Sequence, residues 1–223
     1  TDRAKMRDQY AIELLNTLSL YHLSPEDFDG AIVSSVVPQL LPVLRRALHY
    51  ILTDGKQHPL AGKVLTVSPG VKTGLNIKID NPAQLGADMV CSSVAALASY
   101  PAPSIVIDLG TATKISALDR NGCMIGCSIM PGVMISLEAL SARTAQLPQI
   151  DLDTPVKLIG TNTLDSMRSG VILGTASMID GMADRCREEL GEDLTVVATG
   201  GLAGDIVPHC RTKVLHNPTI CLE

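Results

Sequence analysis

Aromatic side chains are scarce in this 223-residue chain, which has no Trp, one Phe and four Tyr. That scarcity removes the stacking platforms that hold single-stranded nucleic acid. Positive charge is short as well: 18 Lys and Arg stand against 23 Asp and Glu, for a net charge of −5. No broad field therefore favours a phosphate backbone, and no nucleic acid partner is expected. A small anionic substrate would need a local positive site instead. No apolar run reaches membrane-spanning length, so no membrane partner is expected either. The six cysteines, Cys91, Cys123, Cys127, Cys186, Cys210 and Cys221, contain no C-x-x-C pair and follow no secretory signal. They read as reduced, mostly buried thiols of a cytoplasmic protein. Cys123 and Cys127 stand four apart on an expected strand, and so on one face, but no His lies near them. The five histidines are scattered without metal-ligand spacing.

What remains is an ordinary globular composition, 46% hydrophobic and 18% charged, long enough for one large domain or two small ones. The amphipathic pattern through Met6, Tyr10, Leu14, Leu15 and Leu18 predicts a helix capped by Thr1 or Asp2. A buried strand is expected from Ala31 to Val37, closed by Pro38, then a helix from about Gln39 to Thr53 and an exposed loop around Asp54-Gly55-Lys56. Val64–Val67 reads as a strand that ends in the Gly-rich turn Ser68–Gly74, and Asn81-Pro82 leads into a helix from Ala83 to about Ser99. Tyr100-Pro101-Ala102-Pro103 marks the expected boundary between two halves, residues 1–102 and 103–223. Further strands are predicted at Cys123–Ile129 and Leu194–Ala198, with helices at Val133–Arg143, after Asn162-Thr163, and from Met167 through Leu190. The fold class is α/β.

Three places could carry chemistry. Ser104–Leu109 is an apolar strand that ends in Asp108, turns at Gly110-Thr111 and resumes as a strand at Ile115. A carboxylate beside bare backbone N–H groups can hold a cation and a phosphate side by side, although Asp and Thr also serve ordinary turns. Thr199-Gly200-Gly201 follows a strand and precedes a short helix, where a nucleotide can approach the backbone closely; Gly-Gly is also a plain turn. Asp88, early in a helix after Gly86-Ala87, is either a general base or a charge placed to suit the helix dipole.

Taken in order, these motifs resemble the type III pantothenate kinases, members of the actin, sugar kinase and heat-shock chaperone superfamily with two ribonuclease H-like halves. The likeness rests on Ile32–Pro38, Pro69–Gly74, Asn81-Pro82 with Gly86-Ala87-Asp88, Asp108–Thr113, Pro131-Gly132 with Ser136-Leu137 and Arg143-Thr144, Asn162-Thr163, and Ala198–Ala203. The resemblance implies ATP-dependent phosphorylation of pantothenate, the first step of coenzyme A synthesis. It makes Asp88 the base, Gly86, Ala87, Asp88 and Thr163 substrate contacts, and Thr111 an ATP contact, with Gly110, Gly200 and Gly201 bordering the nucleotide. It also makes Asp108 the ligand of a monovalent cation, K+ or NH4+, implies Mg2+ with the ATP, and predicts a homodimer with the substrate site near the subunit interface.

The sequence departs from the family pattern in three ways. The family's first hairpin, with an Asp-x-Gly-Asn-Thr turn for phosphate and Mg2+, has no counterpart here; roughly 30 residues are absent by comparison, and a closing helix is expected beyond Glu223. Met89 stands where the family has Arg, and Ile79 where it has a substrate-touching Tyr; loss of a buried charged partner costs about 2–5 kcal/mol. Lys114 replaces a small polar residue; it is either a solvated strand residue or a cation that partly stands in for the missing Arg. An active kinase is thus one reading. The alternatives are a catalytically impaired relative that binds a ligand or acts as a regulatory accessory protein, as the family name Bvg accessory factor implies, and a kinase of a related small alcohol.

Overall fold

A computed structural model describes residues 5–53, 64–143, 150 and 155–223. Its contacts divide the chain into a smaller unit, Thr1–Lys72 with Ala83–Cys91, and a larger one, Thr73–Pro82 with Ser92–Glu223. The division falls inside a helix, and Tyr100–Pro103 lies within the larger unit.

In the smaller unit, α1 (Arg7–Leu20) packs on α2 (Leu41–Leu52), with Ala11, Ala47 and Ile51 buried between them and Tyr10, Leu14 and Leu15 alongside. Pro42 sits in the first turn of α2, where its missing N–H costs nothing. Helix α1 begins later than expected: its start is marked by the Met6 N–H, which donates to Gln9 Oε1 at 2.8 Å. Thr1 and Asp2, like the 54–56 loop, lie outside the described residues. Strands β1 (Ala31–Ser34) and β2 (Val64–Val67) pair in parallel, Ala31 opposite Val64 and Ser34 opposite Val67. Strand β1 is shorter and less buried than its apolar run predicts. Only Val33 is enclosed, while Ile32 is 70% exposed, because β2 is its sole described neighbour.

The larger unit is built on a six-stranded sheet of β3 (Asn76–Ile77), β4 (Ser104–Leu109), β5 (Ala112–Leu118), β6 (Cys123–Pro131), β7 (Thr195–Thr199) and β8 (Leu215–His216), in the order β3-β6-β5-β4-β7-β8. Strand β5 is antiparallel to both neighbours; β4, β7 and β8 run parallel. The β-branched run Ile105-Val106-Ile107 suits a central strand, and β4 is buried along almost its whole length. Ile105, Ile107 and Leu109 join Val196 and Ala198 in a core with Met167, Val171, Ile172, Ala176 and Ile179. The last five come from α5 (Thr163–Arg168), a π-helical turn (Ser169–Leu173) and α6 (Gly174–Leu190). By alternation, Val106 and Asp108 point to the opposite face. Helix α3 (Ala87–Ser99) starts in the smaller unit and continues into the larger, while α4 (Val133–Arg143) follows β6 and α7 (Ala203–Ile206) follows β7. No helix among the described residues is long and apolar enough to cross a membrane.

Cys123 and Cys127 do not share a face. The β5–β6 register passes from Ala117 opposite Gly126 to Leu118 opposite Met124, so Ile125 is an extra residue and reverses the alternation. Cys123 is accordingly buried and Cys127 exposed, and the other four thiols are only partly buried, less than expected.

The β5–β6 turn is held by Asp119, whose Oδ1 accepts the N–H groups of Cys123 at 2.8 Å and Asn121 at 2.9 Å. The Cys123 bond in particular holds the Asp119 carboxyl below its ordinary range. A carboxyl depressed on folding stabilises the fold above its unfolded pKa, and that contribution is lost as pH falls through the folded value. Urea titrations of wild type and Asp119→Ala should differ at pH 7 and converge as the medium is acidified below about pH 4.

Candidate active site

Gly86, Ala87, Asp88 and Met89 form one local device in the smaller unit. Pro82–Gln84 makes a single 3-10 turn, so α3 begins at Ala87 and Asp88 falls in its first turn, later in the chain than the sequence pattern predicts. Asp88 Oδ1 accepts the Met89 N–H at 2.9 Å, satisfying one of the orphan donors at a helix start. A Cβ on Gly86 would stand 2.5 Å from that same Oδ1, so the glycine is what lets the carboxylate take this position. Met89 is 5% exposed and lies in the core.

The glycine turns after β4 and β7 converge in the larger unit. Gly200 has φ +97°, which favours glycine, and a Cβ there would lie 2.6 Å from the Leu109 carbonyl carbon. The Leu202 N–H also donates to the Leu109 carbonyl at 3.4 Å. The Gly200-Gly201 turn is thereby pressed onto the exit of β4, next to Gly110-Thr111. Gly132 packs in the same way, since a Cβ on it would run into the Gly110 and Thr111 carbonyls. Around Gly201, by contrast, a Cβ would meet nothing within 4 Å, and Thr111 is exposed. The result is a bare backbone ledge at the carboxyl ends of β4 and β7, the place where open α/β sheets bind ligands.

Beside the ledge the sheet places Ile129, Lys114, Asp108 and Thr199 in one cross-strand row. Lys114 Nζ lies 2.8 Å from Asp108 Oδ2. The lysine is therefore neither a solvated strand residue nor a spare positive charge; its ammonium is engaged by Asp108. The sequence reading missed this pair. The available signal was that Asp108 and Lys114 each stand three positions from Thr111, and residues equidistant from a hairpin's centre become cross-strand partners.

Thr163 occupies a different place. Asn162 caps α5, its Oδ1 accepting the Asp165 N–H at 2.9 Å. Thr163 lines an open groove of about 1270 Å³ with Met130, Pro131, Ser136, Met167 and Met178. Met130, Met167 and Met178 belong to the α5–α6 core, so the groove lies on the sheet face opposite Asp108 and Lys114. Ile79, half-buried, follows Lys78, whose N–H extends the β3–β6 ladder to the Met124 carbonyl at 2.8 Å. Among the described residues no group of three or more His, Cys, Asp or Glu could hold a metal ion.

A sequence model of type III pantothenate kinase matches residues 1–185. The chain belongs to the type III pantothenate kinase family. The type III pantothenate kinase of an Exiguobacterium species is 42% identical over 212 residues, spanning 95% of this chain and 80% of that relative. That of Bacillus cytotoxicus is 38% identical over 223 residues, all of this chain and 82% of the relative. A solved structure from Campylobacter jejuni, described as a Baf family transcriptional activator, shares the fold with a TM-score of 0.54 at 18% identity, over 88% of this chain and 80% of that one. Membership makes the chain a kinase, with ATP as phosphoryl donor.

The two adjacent glycines of the backbone ledge should separate experimentally. Gly200→Ala forces a side chain into a left-handed backbone conformation against the Leu109 backbone and should cost at least about 1–2 kcal/mol of stability. Gly201→Ala should leave the urea midpoint unchanged, since nothing stands near its added methyl.

Proposed function

We propose how this type III pantothenate kinase carries out the ATP-dependent phosphorylation of pantothenate in coenzyme A biosynthesis. Asp88 accepts the proton of the substrate's primary hydroxyl while that oxygen bonds to the γ-phosphorus. The bond from phosphorus to the bridging oxygen breaks, and ADP leaves. A primary alcohol is a weak nucleophile, and a carboxylate within hydrogen-bond reach raises the rate of such a transfer by about 10²–10⁴-fold. The observation that carries this reading is the fixed Asp88 carboxylate, anchored on the Met89 N–H and given room by Gly86.

The exposed backbone of Gly110-Thr111 and Gly200-Gly201 receives the nucleotide phosphates, because glycines without neighbouring side chains let phosphate oxygens reach N–H groups. Mg2+ accompanying the ATP would supply neutralising charge to the phosphates received by this backbone. The residues at Asp108 do not fit a further monovalent cation, since its Oδ2 faces an ammonium group. Gly86 and Ala87, beside Asp88, are the pantothenate contacts of the smaller unit, and Ile79 and Thr163 those of the larger. Ile79, half-buried, supplies apolar contact where a hydroxyl-bearing residue would supply a hydrogen bond, while the Met89 side chain is buried in the core behind the start of α3.

The working form is a homodimer. Thr163 sits on the sheet face opposite the Asp108 row of its own chain, and α4 carries Met134, Ile135 and Leu140 at 46%, 40% and 41% exposure. Leu140 also lines the Thr163 groove, so this apolar surface suits a second copy. The cytoplasm is the compartment, in keeping with six free cysteines.

Asp88→Asn should reduce pantothenate-dependent ADP release by about 10²-fold or more while leaving ATP affinity in place. Gly86→Ala, which displaces the Asp88 carboxylate from the Met89 N–H, should lower kcat and cost about 0.5–2 kcal/mol of stability through the lost helix-start bond. Light scattering should give twice the chain mass; a monomer that turns over at the full rate would remove the dimer from this account.

A further inference from the structure

The Asp108 carboxylate already has a cation, and that cation belongs to the chain. Asp108 and Lys114 are direct cross-strand partners on β4 and β5, so their side chains leave the same face of the sheet. The Nζ to Oδ2 distance is 2.8 Å, and the two side chains are only 18% and 21% exposed. Thr199, opposite Asp108 on β7 and 3% exposed, closes the other flank. A contact so placed differs from a solvated surface pair, which water and salt weaken.

An ammonium group carries the charge of K+, is itself a substituted NH4+, and seeks the same oxygen ligands. It is also tethered. A free ion must compete with a group whose local concentration is fixed by the reach of one side chain, so bulk K+ enters at a disadvantage. The charge is delivered two residues from Gly110, beside the turn where negative charge would gather on the nucleotide.

We infer that Lys114 takes the place of the monovalent cation that the family resemblance attaches to Asp108, so that this kinase turns over without K+ or NH4+. The inference rests on the assignment of Gly110-Thr111 and Gly200-Gly201 as the phosphate site.

The test measures turnover of the complete enzyme with pantothenate, ATP and Mg2+, where tetramethylammonium is the only monovalent cation, and again after addition of K+ or NH4+. ATP affinity is measured in parallel by calorimetry. Wild type should show the same rate and affinity in all three media. Lys114→Met keeps the length of the side chain and removes its charge; it should lose about 30-fold or more in tetramethylammonium and recover when K+ or NH4+ is added. A wild-type rate that rises with K+ would overturn the inference, and so would a Lys114→Met enzyme at full rate in tetramethylammonium. If the single variant does not fold, Lys114→Met combined with Asp108→Leu leaves no lone carboxylate and should be slow and unresponsive to K+; a response would count against the assignment. An ATP affinity unmoved by Gly201→Leu would overturn the phosphate-site assignment and the inference together. A K+ response of wild type, with Gly201→Leu weakening ATP as expected, would overturn the inference alone.

Discussion

The backbone at Leu109 is the constraint on which the larger unit's functional end depends. Leu109 is 1% exposed, pairs with Thr113 on one side, and carries Gly200 pressed against it on the other. Strands β4 and β7 can stay in register through Asp108 and Thr199 only while nothing larger than a hydrogen stands at position 200. The two glycines that follow β7 consequently have different reasons for being glycine. Gly200 faces inward and lets two strand exits close on each other, whereas Gly201 faces open space and leaves its backbone bare. A sequence motif that looks like a single loop is a packing device joined to an open stretch of backbone.

Much of the fold could be read from the chain because burial and apolar pattern agree where neighbours lie on both sides. The runs at Ser104–Leu109 and Thr195–Thr199 are strands, and Asn162 caps a helix, as their residue types predict. Where the pattern failed, the missing information was tertiary. In β1 the run Ala31-Ile32-Val33 is as apolar as a core strand, yet its exposure follows from having one described partner strand instead of two. Cys127 turns outward because β6 gains an extra residue at Ile125, and a bulge has no period to betray it. Helix α3 starts late because Pro82–Gln84 takes up three residues in a 3-10 turn.

The candidate site divides along the same line. Gly86-Ala87-Asp88 is legible because its parts are sequence neighbours and its geometry is local: an acid at a helix start and a glycine that makes room for it. The Asp108–Lys114 pair is not legible until the centre of the hairpin is known, since a shift of one residue in register would send the two side chains to opposite faces. The roles of Gly132 and Gly200 are likewise hidden, for they are defined by the carbonyls and backbone they approach, far away in sequence.

That distinction bears on how the departures from the family pattern are to be understood. An arginine replaced by methionine and a small residue replaced by lysine look, in sequence, like a charge lost and regained. The structure balances each locally. Met89 is buried at 5% exposure in the first turn of α3, where an apolar side chain needs no counter-charge. Lys114 is matched by Asp108, so the pair adds no net charge to the sheet. A carboxylate with a bound ion and a carboxylate with a tethered ammonium present the same sum of charge to a neighbouring phosphate. They differ in what sets occupancy: ion concentration in the first case, the fold itself in the second. A strand residue three positions beyond the turn is thus sufficient to exchange a dependence on solution conditions for one on register, and register here is fixed by six consecutive β4–β5 pairs from Ser104–Leu118 to Leu109–Thr113.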